Sequence, residues 1–371
     1  MRFVFLTNTP AHVHLYKHAV SRLEDRGHEV LVLGRDYGCT RDLLDYYDLP
    51  HEIYGKCDTT KLSLFGRLPT HYLGLLAAAR RFDPDLIFGM GSYAAHTGAL
   101  TRTPVVLILD SEPTTLDTRM ARPFARTILT PHPFRKDLGS NHYKFLGFKE
   151  TAYLHPEEFE QRADVRELLG VDPDERYVIT RFNAFGSHHD VAEGGFTTAK
   201  RREFVETISQ YATVFVSDEG GDFDHEQLPA RPYDLHPALM HDALAAADLL
   251  VADTQTMVTE AALLGTPAIR SNSFVGEDSD MGNFLELEAE GLVFNIQSYD
   301  DVLETAVELL IDDSTDMRWQ RKRRAFLSEM TNLTDVIVDG AENDGFLGRL
   351  DEISPGPGHP RDSLAGDTRV R

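Results

Sequence analysis

Residues 247–273, AADLLVADTQTMVTEAALLGTPAIRSN, constrain the fold more than any other stretch of this chain. Residues 249–252 are an apolar run of strand length, Asp253 and Thr254 can cap a helix, and residues 257–264 carry a helical pattern that stops at Gly265-Thr266-Pro267. A further apolar run comes next, so the segment reads as strand, polar turn, helix and strand. At such a turn the amides of Gln255, Thr256 and Met257 have no partner within the helix and lie at the positive end of its dipole. A diphosphate fits there, and Glu260, one turn on, is placed to accept hydrogen bonds from two ribose hydroxyls. An ordinary βαβ crossover with a capping turn has the same pattern.

The same rhythm recurs along the chain. Strands are expected at 3–7, 29–33, 51–54, 85–88, 105–109 and 127–129, separated by helices near 12–26, 40–47, 62–81 and 93–100. The alternation lapses into a charged stretch ending at Asp172-Pro173-Asp174, then resumes with strands at 177–181, 214–217, 249–252, 268–271 and 292–295. The expected class is α/β, with two Rossmann-like, doubly wound parallel sheets facing a cleft. The expected divisions are an N-terminal domain over 1–155, a linker over 156–174, a C-terminal domain over 175–331, a cross-over segment over 332–350 and a disordered tail over 351–371. In open parallel sheets ligands meet the carboxyl ends of the strands, so the turns after strands carry the function.

Charge narrows the partners. The chain has 371 residues, 60 acidic against 37 basic and a net charge of -23, and only eight of the basic residues are Lys. This field repels nucleic acid and anionic surfaces, and it suits the salt-rich cytoplasm of a halophilic archaeon, where screening tolerates the self-repulsion. Two cysteines, Cys39 and Cys57, make no disulfide framework and no Cys-x-x-Cys metal motif, which points to a reducing cytoplasm. No apolar run is long enough for a transmembrane segment. A homodimer is compatible with all of this.

Four turns carry candidate chemistry. After the first strand, Thr7-Asn8-Thr9-Pro10-Ala11-His12-Val13-His14 sets His12 and His14 near a helix start, which favours neutral rings able to act as general bases. After the fourth, Gly89-Met90-Gly91-Ser92 lets a ligand approach the backbone, although Ala94 breaks the dinucleotide-binding glycine fingerprint. After the fifth, Asp110-Ser111-Glu112 adds Glu112 to the same edge. In the second half, Arg181 can neutralise a diphosphate, and His189 oriented by Asp190 can shuttle a proton. Adjacent residues rarely converge on one ion, so His188, His189 and Asp190 are not read as a metal site, and neither metal nor bound cofactor is expected. The Asp-x-Asp runs at 83–85, 172–174 and 278–280 read as turn acids, and the basic run at 319–324 as a solvated face.

These segments resemble the GT-B nucleotide-sugar enzymes, and more closely the DUF354 group of archaeal and bacterial proteins near the UDP-N-acetylglucosamine 2-epimerases. The resemblance covers roughly residues 2–334 and rests on residues 9–14, 26–30, 35–38, 181–190 and, most specifically, 253–270. The epimerases have Asp-Ser-Gly-Gly, two residues, then Glu-Glu in the turn that holds the UDP phosphates and ribose. Here Asp253 and Glu260 match, Thr254, Gln255 and Thr256 replace Ser and both Gly, and Thr259 replaces the first Glu. The resemblance implies that Arg181, Thr254, Gln255, Thr256, Met257, Glu260 and Arg270 hold the nucleotide, with Gly89, Gly91, Ser92 and Glu112 on the acceptor side. It implies a metal-independent glycosyltransferase that moves a sugar from a nucleotide diphosphate to an acceptor, with a UDP-sugar 2-epimerase or a non-catalytic sugar-nucleotide binder as alternatives. Retaining members often carry Glu-x7-Glu; Asp253 to Glu260 is one residue short, which favours inversion.

Overall fold

The structure, a computed structural model, describes residues 1–57, 61–112, 114–161, 164–182, 197–218, 227–253, 255–271, 280–347 and 353–356. The chain divides into two compact units, one of residues 1–158 with 330–371 and one of residues 159–329.

The first unit holds β1 (Arg2–Thr7), β2 (Glu29–Asp36), β3 (His51–Lys56), β4 (Leu86–Gly89), β5 (Val105–Ile108), β6 (Thr127–Pro131) and β7 (His142–Phe145). The second holds β8 (Tyr177–Phe182), β9 (Thr213–Asp218), β10 (Ala230–Pro232), β11 (Leu249–Ala252), β12 (Ala268–Arg270) and β13 (Val293–Asn295), and β14 (Ile353–Pro355) returns to the first unit. The sheet orders are β14-β7-β6-β5-β4-β1-β2-β3 and β10-β9-β8-β11-β12-β13. Among the described residues every strand pairing is parallel except that of β14 with β7. This is the α/β class with two Rossmann-like parallel sheets that the alternation dictates. Phe3 to Leu6 and Val105 to Ile108 are almost wholly buried because helices cover both faces of the sheet.

In each sheet the strand order reverses beside the first strand, so β1 lies between β2 and β4, and β8 between β9 and β11. Ligands of open parallel sheets meet the strand ends beside such a reversal, here the carboxyl ends of β1 and β4 and of β8 and β11.

Three short strands are not expected from the sequence. β10 and β14 contain Pro232 and Pro355, and both are edge strands, where the missing proline N–H can face away from the ladder. β7, HYKF, has too few apolar residues to stand out. The expectation of a structureless tail from residue 351 is corrected at Ile353–Pro355, which pairs antiparallel with Tyr143, Lys144 and Phe145. Among the described residues no helix is long and apolar enough to cross a membrane.

Candidate functional site

In the second unit the polar turn begins where β11 ends. The Asp253 amide donates to the carbonyl of Arg181 at 3.3 Å, joining the ends of β8 and β11, and the Asp253 carboxylate is buried 3.8 Å from the Arg201 guanidinium. The helix Thr256–Leu264 then starts with Gln255 at its N-cap and no side-chain cap. Its first backbone bond runs from the Thr259 amide to the Gln255 carbonyl, so among the described residues the Thr256, Met257 and Val258 amides have no backbone acceptor. Gln255 is exposed, and Thr256 and Met257 are half-exposed. Arg181, at the neighbouring strand end, donates to the Ser217 hydroxyl. Thr254, His188, His189 and Asp190 lie outside the described residues.

Two expected nucleotide ligands sit elsewhere. Glu260 is 5% exposed and its carboxylate lies 3.1 Å from His241 Nε2 on the helix Met240–Ala245, so it faces a buried imidazole and not a solvent-facing ribose site. Arg270 is fully buried, forks onto both carboxylate oxygens of Asp280 at 2.8 and 3.0 Å, reaches Asn295 Oδ1 at 3.2 Å and stacks 3.8 Å from the Phe284 ring. Arg270 therefore ties β12 to the segment before the helix Gly282–Ala289, and Asp280 is its counter-ion, not a turn acid.

The basic run at 319–324 also departs from a solvated face. Trp319 is buried and donates to the Leu292 carbonyl at 3.0 Å, Lys322 Nζ donates to Gly291 at 2.6 Å, and Arg323 Nε donates to Leu263 at 2.6 Å. The Lys322 and Arg323 donors satisfy carbonyls at or just past helix C-termini, among them that of Thr256–Leu264.

In the first unit the turn after β1 centres on Asn8. Its amide donates to His12 Nδ1 at 3.1 Å, its carbonyl accepts from Arg35 Nε at 3.0 Å, and its side-chain oxygen accepts from the Tyr54 hydroxyl at 2.8 Å. Because Nδ1 accepts from a backbone amide, the neutral His12 ring carries its proton on Nε2. Burial and the Lys149 ammonium, opposed by Asp110 and aided by Arg35, push the His12 pKa down to about 3. His12 is thus neutral near pH 7, as its position at a helix start suggests, yet it presents a donor where a general base needs a lone pair. His14 is buried and packs against the Tyr47 and Tyr153 rings, which gives it a packing role within the first unit.

Asp110, just past β5, is ion-paired with Lys149, which also lies 3.5 Å from Glu150. Burial alone would raise the Asp110 carboxyl, but the Lys149 charge and hydrogen bond, with His12, hold it below the usual range. Glu112 is buried and accepts from the Arg135 amide at 2.6 Å. Gly89 serves packing, since a Cβ there would lie 2.4 Å from that of Ala94. Gly91 has a φ of +82°, and a Cβ would fall 2.0 Å from Asp117 Oδ2. The Asp117 carboxylate accepts from the Ser92 amide at 3.2 Å and fills the helix start expected to receive an acceptor.

Sequence reasoning alone does not single out Arg35 and Lys149 as site residues. Arg35 ends β2 inside a motif with no evident chemistry of its own, and Lys149 comes after β7, the strand with the weakest pattern. Among the described residues no group of three His, Cys, Asp or Glu side chains is arranged to hold a metal ion.

Comparison with known proteins places this geometry in context. No protein-family model matches the chain, so its resemblance to the DUF354 group rests on the motifs alone. It is 23% identical over 288 residues, 72% of this chain and 80% of the relative, to an uncharacterised protein of Methanocaldococcus jannaschii. The UDP-GlcNAc 2-epimerase of Neisseria meningitidis, solved with UDP-GlcNAc, matches with a TM-score of 0.62 at 11% identity, covering 92% of this chain and 100% of that one. The glycosyltransferase SnogD of Streptomyces nogalater matches with a TM-score of 0.60 at 18% identity, covering 93% and 99%. The fold is that of the GT-B enzymes.

Proposed function

We propose that this protein is a nucleotide-sugar-dependent glycosyltransferase that works without a metal ion. The observation that carries the reading is the start of the helix Thr256–Leu264, which has no side-chain cap among the described residues and where Gln255 is exposed and Thr256 and Met257 partly so, at the point where the second sheet reverses its strand order. The Thr256 and Met257 amides, which have no backbone acceptor among the described residues, and the helix dipole would stabilise the departing diphosphate, as a metal does elsewhere. Arg181, on the adjoining strand end, would add a charge-assisted bond.

The first unit would hold the acceptor. There the neutral His12 would orient the hydroxyl through Nε2–H, and Asp110 would take its proton as the glycosidic bond forms and the nucleotide diphosphate leaves. Asp110 is a weak base while Lys149 pairs with it, so loss of that pairing on acceptor binding is part of the proposal. The cytoplasm remains the expected site of action. A homodimer remains an expectation, and the activity proposed does not require one.

An epimerase reading has one point in its favour, the mutual electrostatic influence of His12 and Asp110, since removal and return of a sugar proton needs two such groups. Incubating the full chain with UDP-sugars and no acceptor separates the readings. Slow release of UDP supports the transferase, appearance of a C2 epimer supports the epimerase, and binding without turnover supports neither reaction. If calorimetry finds no nucleotide that binds, the diphosphate assignment fails.

A further inference from the structure

Arg35 is half-buried at the carboxyl end of β2. Its Nε donates to the Asn8 carbonyl at 3.0 Å, its guanidinium lies 5.3 Å from the centre of the Tyr37 ring, and its charge favours the ionised form of the Tyr93 hydroxyl. Its charge also acts on His12, Tyr54 and His71. All of these neighbours are neutral rings or carbonyls.

In a chain with 60 acidic and 37 basic residues, the surroundings of Arg35 are unusual. The neighbouring carboxylate, Asp36, lies 3.7 Å from Arg41, and Asp110 and Glu150, in the same unit, go to Lys149. Among the described residues no carboxylate forms an ion pair with Arg35. A guanidinium partly withdrawn from water without a counter-ion is costly, and its planar fork matches carboxylate and phosphate oxygens. The helix Pro10–Asp25 begins beside it, with no side-chain cap at Thr9, and His12 adds an Nε2–H donor.

We propose that Arg35 is the anchor of an oxyanion subsite, and that the second substrate carries a carboxylate or a phosphate. The surrounding Tyr37, Tyr54 and Tyr93 rings suit a ligand whose anionic group is attached to a sugar or similar ring. The assignment of this ligand to the acceptor rests on reading the first unit as the acceptor side. The anion is not the donor's diphosphate, which belongs at the helix Thr256–Leu264.

Titration calorimetry on the full chain, in KCl held constant, tests the subsite with three probes: glucuronate, glucose 6-phosphate and glucose. One of the two anionic probes should bind at least about tenfold more tightly than glucose, and which one does so identifies the oxyanion. Arg35→Gln should lose about tenfold or more of that affinity, and Arg35→Lys should recover only part of it because the fork is gone. Arg119→Gln, an exposed change, should leave binding intact. Equal binding of charged and neutral probes, absence of binding by all three, or unaltered binding in Arg35→Gln overturns the proposal, with chloride then the only counter-ion. Should Arg35→Gln fail to fold, the Arg35 Nε–H resonance of the unmutated chain reads the same answer by shifting, or staying still, on titration. UDP is titrated separately: an equal loss of UDP affinity in Arg35→Gln makes the anion the donor's own and overturns the proposal. Failure of UDP to bind the unmutated chain, with the probe still bound at Arg35, overturns the nucleotide reading alone.

Discussion

The Glu260 carboxylate and His241 Nε2 stand 3.1 Å apart, both side chains more than nine-tenths buried. The pair links the helix Thr256–Leu264 to the helix Met240–Ala245, so it holds the polar turn from behind. Glu260→Ala leaves His241 buried without this acceptor and should cost about 1–3 kcal/mol of stability. Glu260→Gln, which keeps an acceptor oxygen, should cost less. Denaturant melts measure both; equal stability of Glu260→Ala and the parent would show that the pair is not structural.

At the other end of that turn, Gln255 offers a test in which stability and binding move in opposite directions. Gln255→Asp supplies a capping carboxylate where Gln255 makes no side-chain cap and should stabilise the chain by about 0.5–1 kcal/mol. The same carboxylate occupies the amides and repels a diphosphate, so UDP affinity should fall about tenfold or more. Calorimetry with UDP and a thermal melt of the same sample read both effects.

Arg270→Met removes the cation from a core in which the Asp280 side chain is only 2% exposed. The stranded carboxylate should cost about 3–5 kcal/mol, whereas replacing both residues by apolar ones of similar volume should recover much of it. Unfolding curves of the single and double variants decide between a structural pair and a ligand-facing arginine.

Acid should destabilise the chain through two imidazoles. Burial, with the Lys144 charge, lowers the His142 pKa from 6.5 to about 4, and His12 falls from 6.5 to about 3. Both bind protons more weakly folded than unfolded, so below pH 6.5 the unfolded chain gains protons first and stability falls until the folded values are reached. Each imidazole contributes a slope of up to about 1.4 kcal/mol per pH unit, less for His12, which is only partly buried. Urea melts between pH 7 and 4.5 should show the loss, and His142→Asn should flatten it.

Salt should act oppositely. With a net charge of -23, the chain repels itself most when the Debye length grows from about 8 Å to 30 Å at low ionic strength. Thermal unfolding should shift upward as KCl rises from millimolar to molar. A flat response would remove the inference of a salt-adapted protein.

The strands most easily read from sequence are the fully buried ones. β11 has the expected bounds, and β1, β5 and β8 differ by one residue at an end, because runs buried on both faces leave an unmistakable apolar signature. The edge strands β10 and β14 are invisible because a proline in an edge strand looks like a turn. The candidate site is legible only as a set of turns. Spacing identifies the strand ends that carry Asn8, Arg181 and Asp253, but partners from distant strands decide what each side chain does. Glu260 and Arg270 are expected to hold a nucleotide because helix and strand periodicity cannot show that His241 and Asp280 wait inside. Arg35 escapes notice because its distinguishing property, the lack of an acid partner, exists only once the chain is folded.

The last described segments belong with the first. Arg22 binds Asp335 and Glu158, Arg26 donates to Glu342 at 2.7 Å, and the Thr334 hydroxyl donates to the Ala152 carbonyl at 2.7 Å. On the ribosome, residues 159–329 emerge as one uninterrupted unit and can complete their sheet while synthesis continues. The unit begun first must wait, with the flank of its opening helix bare, until residues 330–356 arrive to close it. The half of the protein made earliest is therefore the half finished last, and premature termination anywhere after residue 329 should spare the later-made unit and expose the earlier one to proteolysis.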